Sequence, residues 1–199
     1  MTIETVTKPS VETSRWPPLQ GEWTFADYAR LPDNGVRYEV IKGDLYMNPA
    51  PRPRHQKVVL NLSVALHQFA GSRDLGEAYI APIDVILPGL ASPVQPDVLF
   101  IAGDRLDIVK QEFIEGAPDL IIEVLSPSNP LHDRRTKFQL YAQASVREYW
   151  IVDPEASTID IYVLREQAFA PLGSFGPGEQ TRSEVLADLS VHVSDVCSD

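Results

Sequence analysis

The strongest constraint on the fold is the segment Leu120-Ile121-Ile122-Glu123-Val124-Leu125. It is apolar at both parities, so it reads as a central strand buried on both faces. Glu123 interrupts it, and a carboxylate in such a strand costs several kcal/mol of effective desolvation unless a cation meets it. Gln95-Pro96-Asp97-Val98-Leu99-Phe100-Ile101 repeats the pattern, with Asp97 as the inserted acid. Each acid alone also reads as a strand-end residue paired with arginine. Two such strands together suggest acids converging on a shared cation, and Mg²⁺, a hard ion that takes oxygen ligands, suits them.

The rest of the chain supplies candidate partners. Pro130 precedes a predicted helix from about Leu131 to Ala144, on which Asp133, Lys137 and Tyr141 are spaced i, i+4, i+8 and share one stripe. A helix leaving the carboxyl end of the Glu123 strand can fold that stripe back over the acids. Lys137 would then stabilise charge developing on a phosphate or position a water for attack; its plainer reading is a surface pair with Asp133. Glu39, in Tyr38-Glu39-Val40-Ile41, is a third acid, either a direct or an outer ligand. Pro118-Asp119 is a second Pro-Asp pair, but Asp119 lies four strand residues before Glu123, about 13 Å away and too far to share one ion.

Elsewhere the pattern is α+β. Thr24-Phe25-Ala26-Asp27 reads as a capping box opening a short helix to about Leu31. Residues 36–41 and 44–48 read as a hairpin about a Lys42-Gly43-Asp44 turn. Pro53 opens a helix to about Phe69, ended by Gly71, with Val58, Leu62, Ala65, Leu66 and Phe69 on the core face. Strands are predicted near 77–87, 95–101, 119–125 and in REYWIVD and TIDIYVL, where Trp150 and Tyr149 read as core and rim aromatics and not as base-stacking platforms. Residues 165–199 read as loop plus a peripheral strand. The expected fold is a mixed central sheet flanked by helices, an α/β or α+β arrangement. Residues 1–20 are expected as a loose arm and 21–199 as one domain.

Composition narrows the function classes. One cysteine, Cys197, excludes an internal disulfide and a cysteine metal cluster. The N-terminus has no apolar run like that of a signal peptide, and no stretch approaches the roughly 18 apolar residues of a spanning helix. A soluble cytoplasmic protein without membrane contact is expected. Gly-rich phosphate loops and Gly-x-Ser-x-Gly elbows are absent, and the four histidines lack zinc spacing. The net charge of −11 argues against a broad DNA coat. Two basic knots stand against that background, Arg52, Arg54, His55, Lys57 and His132, Arg134, Arg135, Lys137. They read as phosphate contacts or as solvated helix starts.

The motifs YEVIKGDLY, PRHQKVVLNL, QPDVLF, GAPDLIIEVLSPSN and DRRTKFQLYAQASVREYWIVDP, in this order over residues 22–190, resemble the Uma family of restriction-endonuclease-like proteins. That family is placed in the PD-(D/E)XK nuclease superfamily. The resemblance implies a restriction-endonuclease-like core and Mg²⁺-dependent hydrolysis of DNA phosphodiesters, with Mn²⁺ as a possible substitute. Pro96-Asp97 resembles the motif's Pro-Asp, Glu123 its second acid and Glu39 the early acid. The motif lysine's place is taken by Leu125, and Lys137 matches a lysine moved to the next helix. On this reading Asp97, Glu123 and Lys137 are catalytic, and Asp97, Glu123 and Glu39 hold metal. Arg54, His55, Lys57, Arg134, Arg135 and Tyr141 are candidate DNA contacts. The resemblance also implies a homodimer cutting both strands; the net charge of −11, with only two small basic knots, predicts a weak, salt-sensitive hold on DNA. The rival expectation is a catalytically silent member that binds or regulates.

Overall fold

The computed structural model describes residues 15–126 and 132–198. Two sheets, not one, make the core. The first has the order β2-β1-β5-β4-β7. It comprises β1 (Arg37–Ile41), β2 (Asp44–Asn48), β4 (Val85–Leu87), β5 (Ala91–Val94) and β7 (Ile114–Glu115). The second runs β11-β10-β9-β8-β6-β3. Its strands are β3 (Gly76–Ile80), β6 (Val98–Ala102), β8 (Leu120–Val124), β9 (Glu148–Asp153), β10 (Thr158–Arg165) and β11 (Ala168–Phe175).

The second sheet is buried on both faces at its centre, which is what the apolar runs of β6 and β8 require. Val98, Phe100, Leu120, Ile122 and Val124 face one core, closed by α2 (Pro53–Gly71) and the short α4 (Val193–Cys197). Leu99, Ile101, Ile121 and Leu125 face the other, closed by the first sheet and α3 (Phe138–Gln143). Glu123 has the parity of Ile121, so it points between the two sheets.

Several expectations hold. The hairpin is β1–β2, with Lys42 and Gly43 both at positive φ in its turn. The Thr24–Asp27 capping box is complete, though its helix α1 spans only Phe25–Tyr28. Helix α2 buries Val58, Leu62 and Leu66 as its period demands, while Tyr149 and Trp150 are both fully buried, with neither at a rim. Gln20, within the stretch read as an arm, exchanges two hydrogen bonds with the Leu45 backbone. Residues 1–14 lie outside the described part.

Other expectations are corrected. The strand read over 77–87 is two strands in different sheets, β3 and β4, because Ala81-Pro82-Ile83-Asp84 carries the chain from one sheet to the other. The strand read from Gln95 begins at Val98, and β5, which precedes it, was hidden by its own Pro93. The helix read over 131–144 is a π-helical turn, His132–Lys137, running into α3. Such turns occur mostly as short insertions near functional positions. The C-terminal stretch holds the peripheral strand expected there, the eight-residue edge strand β11, and in addition the helix α4. Among the described residues no helix is long and apolar enough to cross a membrane.

Candidate active site

Strand register brings the two inserted acids together. Strands β6 and β8 are antiparallel with Val98 opposite Ile122, so the next step outward sets Asp97 opposite Glu123. Asp97 lies just before the strand and extends the ladder with its side chain, accepting the Val124 amide at Oδ2 over 3.0 Å. Glu39 arrives from β1 in the other sheet.

Lys137 joins them. Its Nζ lies 2.9 Å from Glu123 Oε1 and 3.0 Å from Glu39 Oε1. Exposures of 0 % for Glu39, 2 % for Glu123, 3 % for Lys137 and 5 % for Asp97 make this a buried ionic cluster, not a surface pair. A charge cluster so deep carries a desolvation cost that a hydrophobic alternative would avoid, which makes it the candidate site of this fold. The first turn of α3 anchors Lys137 from its C-terminal side. Phe138 makes edge contacts with Tyr162 and Phe169 at 4.8 and 5.2 Å, and Tyr141 packs on Tyr149 at 5.1 Å.

Each acid has further donors. Glu39 accepts the Gln95 amide at Oε1 (2.8 Å) and the Asn48 side-chain amide at Oε2 (2.8 Å). Asp97 accepts Arg37 at Oδ1 (3.3 Å) and meets His55 Nε2 at Oδ2 (3.1 Å). Tyr141 donates its hydroxyl to Glu123 Oε1 over 2.6 Å. Burial and the charges of Glu123 and Glu39 push the Tyr141 pKa well up, so it stays a donor.

Burial pushes the Asp97 carboxyl up. The His55 hydrogen bond and charge, with Lys137 and Arg37, outweigh that and hold it below the ordinary 3.8. A depressed carboxyl contributes stability fully present above its unfolded value and lost as pH falls through the folded one. Wild type should therefore lose stability below about pH 4 more steeply than Asp97→Asn, as read by denaturant melts from pH 6 to pH 2; parallel curves would refute this.

The sequence-derived residues divide accordingly. Asp97, Glu123, Glu39 and Lys137 come together. His55 and Tyr141, expected to touch DNA, are instead buried against the acids; both face inward from helices whose other residues fill the core. Arg54 pairs with Glu155 at 3.5 Å. Lys57 and Arg135 are exposed, and the side chain of Arg134 lies outside the described residues. The second Pro-Asp pair is separate: Asp119 is buried and binds Arg105 at 2.8 Å, Arg147 at 3.1 Å and the Ala102 amide. Asp119→Ala should cost about 2 kcal/mol through these lost charge-assisted bonds, while metal affinity stays unchanged. Urea melts and cation titration of the variant test both halves.

Arg37, Asn48 and Gln95 escaped the sequence reading. Arg37 carried a signal, since it stands two residues from Glu39 and so shares its strand face.

The family model for putative restriction endonucleases named Uma2 matches residues 25–194. The chain belongs to the Uma2 family. Two curated relatives of this Uma2 chain come from Synechocystis sp. (strain ATCC 27184 / PCC 6803 / Kazusa), both described as uncharacterized proteins. One, slr1290, is 30 % identical over 129 residues, 63 % of this chain and 65 % of the relative. The other, sll1609, is 26 % identical over 141 residues, 70 % of this chain and 79 % of the relative. The chain thus spans just under two thirds of the first relative's length. Among solved structures, a putative nuclease of DUF820 from Anabaena variabilis ATCC 29413 superposes with a TM-score of 0.73 at 18 % identity. The match covers 88 % of this chain and 98 % of that one, so the two share a fold.

The donor set of the Uma2 site fits a hard divalent cation in chemistry: three buried carboxylates and no sulfur ligand. In the side-chain positions described, no three His, Cys, Asp or Glu form a metal-holding group, and Lys137 stands between Glu39 and Glu123.

Proposed function

We propose that this Uma2-family chain is a divalent-cation-dependent endonuclease hydrolysing DNA phosphodiester bonds. The observation that carries the reading is that Glu39 from one sheet and Glu123 from the other meet on one buried lysine, with the buried Asp97 opposite Glu123. Asp97 and Glu123 would hold Mg²⁺ or Mn²⁺, with Glu39 assisting. When bound, the ion supplies Lewis-acid polarisation of a phosphoryl oxygen and lowers the pKa of water.

The chain's own groups do the rest. Lys137 stabilises charge developing on the phosphoryl oxygens. Tyr141 and the Gln95 amide fix the orientations of Glu123 and Glu39, while His55, Arg37 and the Val124 amide fix that of Asp97. Lys57 and Arg135, both exposed, are the candidate phosphate contacts; Arg54 is already engaged by Glu155. A homodimer of such centres cuts both strands.

Incubation of plasmid and single-stranded DNA with the chain and Mg²⁺ or Mn²⁺ is the test. Cation-dependent cleavage abolished by chelation supports the reading, and cation binding without cleavage of any substrate favours a silent, regulatory member. One observation favours that second reading: the acids already hold protein donors, Asn48 on Glu39, His55 on Asp97 and Lys137 on Glu123.

With so few phosphate contacts, the plot of log affinity against log salt should have a slope of about −2 to −3, from about −0.9 per neutralised phosphate. Fluorescence anisotropy with labelled duplex at several salt concentrations measures it; a slope steeper than about −6 would contradict this.

A further inference from the structure

Lys137 is itself a cation held in a carboxylate site. Its ammonium lies between Glu39 Oε1 and Glu123 Oε1, at 3.0 and 2.9 Å, and all three side chains are buried. A Mg²⁺ ion needs its oxygens at about 2.0–2.1 Å, so it and an ammonium cannot both stand between these two groups. A divalent ion carries twice the charge of the ammonium whose place it takes, and that difference weighs most between buried carboxylates that water cannot screen.

We propose that Lys137 is a resident counter-ion that occupies the metal position of the unloaded protein and leaves it when a divalent cation enters. The proposal rests on the nuclease reading and adds to it. The same lysine neutralises the acids before loading and is released toward the phosphate by loading. Metal affinity is therefore set by a competition inside the protein. Removing the ammonium should tighten metal binding, the reverse of what a supporting residue would do.

Calorimetric titration of the full chain with Mn²⁺ tests this in wild type, Lys137→Met and Asp97→Ala. The expected result is binding at least about tenfold tighter in Lys137→Met than in wild type, and loss of binding in Asp97→Ala. Binding to wild type that is lost in Asp97→Ala but equal or weaker in Lys137→Met overturns the exchange and leaves the metal site standing. Binding by none of the three overturns both.

Lys137→Met leaves the acids without their counter-ion, so a measurement on wild type covers the case in which it does not fold. Acetylation of Lys137 by an amine-reactive ester, followed by peptide mass spectrometry, should run several-fold faster at saturating Mn²⁺ than without it. Equal rates overturn the proposal.

Discussion

Asp97→Asn should lower the rate of DNA cleavage by about 10³-fold or more, which corresponds to about 4 kcal/mol of lost transition-state stabilisation. The substitution keeps the shape of the side chain and removes its charge. Asparagine also places an amide at a position where Asp97 now accepts from Arg37, His55 and the Val124 amide, so one of these donors loses its partner. The electrostatic loss is large because the group is 5 % exposed and water cannot screen it. Timed plasmid nicking by wild type and variant, at equal folded concentration, is the measurement. Residual activity within tenfold of wild type would remove Asp97 from the catalytic centre.

Glu148→Ala should be the most damaging change away from the acid cluster, lowering stability by about 3 kcal/mol. Glu148 begins β9 and is fully buried. Its Oε1 accepts the Trp150 indole N–H at 2.7 Å, and its Oε2 accepts the amides of Glu184 and Val185 at 2.7 and 3.0 Å. Alanine leaves three donors without their acceptor, each of which costs about 1–3 kcal/mol where water cannot replace the bond. For a chain of this length that lowers Tm by roughly 6–12 °C. Hydrogen exchange supplies the local readout, with faster exchange at Glu184 and Val185 than at α2. A shift of Tm below 2 °C would show that Glu148 does not anchor the C-terminal segment.

The acids were legible because charge inside an apolar run is a conspicuous violation. Glu123 and Asp97 break strands that are otherwise buried, and burying them required a cation that Lys137 provides. What could not be read is who else serves them. His55 stands in a basic knot and looks solvated, yet it lies three, four and seven residues before Val58, Val59 and Leu62, all on the buried face of α2. That periodicity was present in the sequence; the charge of its neighbours masked it. The split of 77–87 between two sheets is a tertiary matter, since a continuous β-favouring run does not say where the chain changes sheets. The π-helical turn before Lys137 also lay beyond a reading built on a 3.6-residue period.

Glu39 is carried by one sheet and Glu123 by the other, with Lys137 reaching both from the turn before α3. The centre thus acts as a keystone between two halves that the chain completes far apart in sequence, β1 ending at Ile41 and α3 beginning at Phe138. A nascent chain emerging from the ribosome has Glu39 long before it has Lys137, and has no assembled centre until the two layers close. The centre is therefore assembled only when folding is finished, and an incomplete or proteolysed chain lacks it.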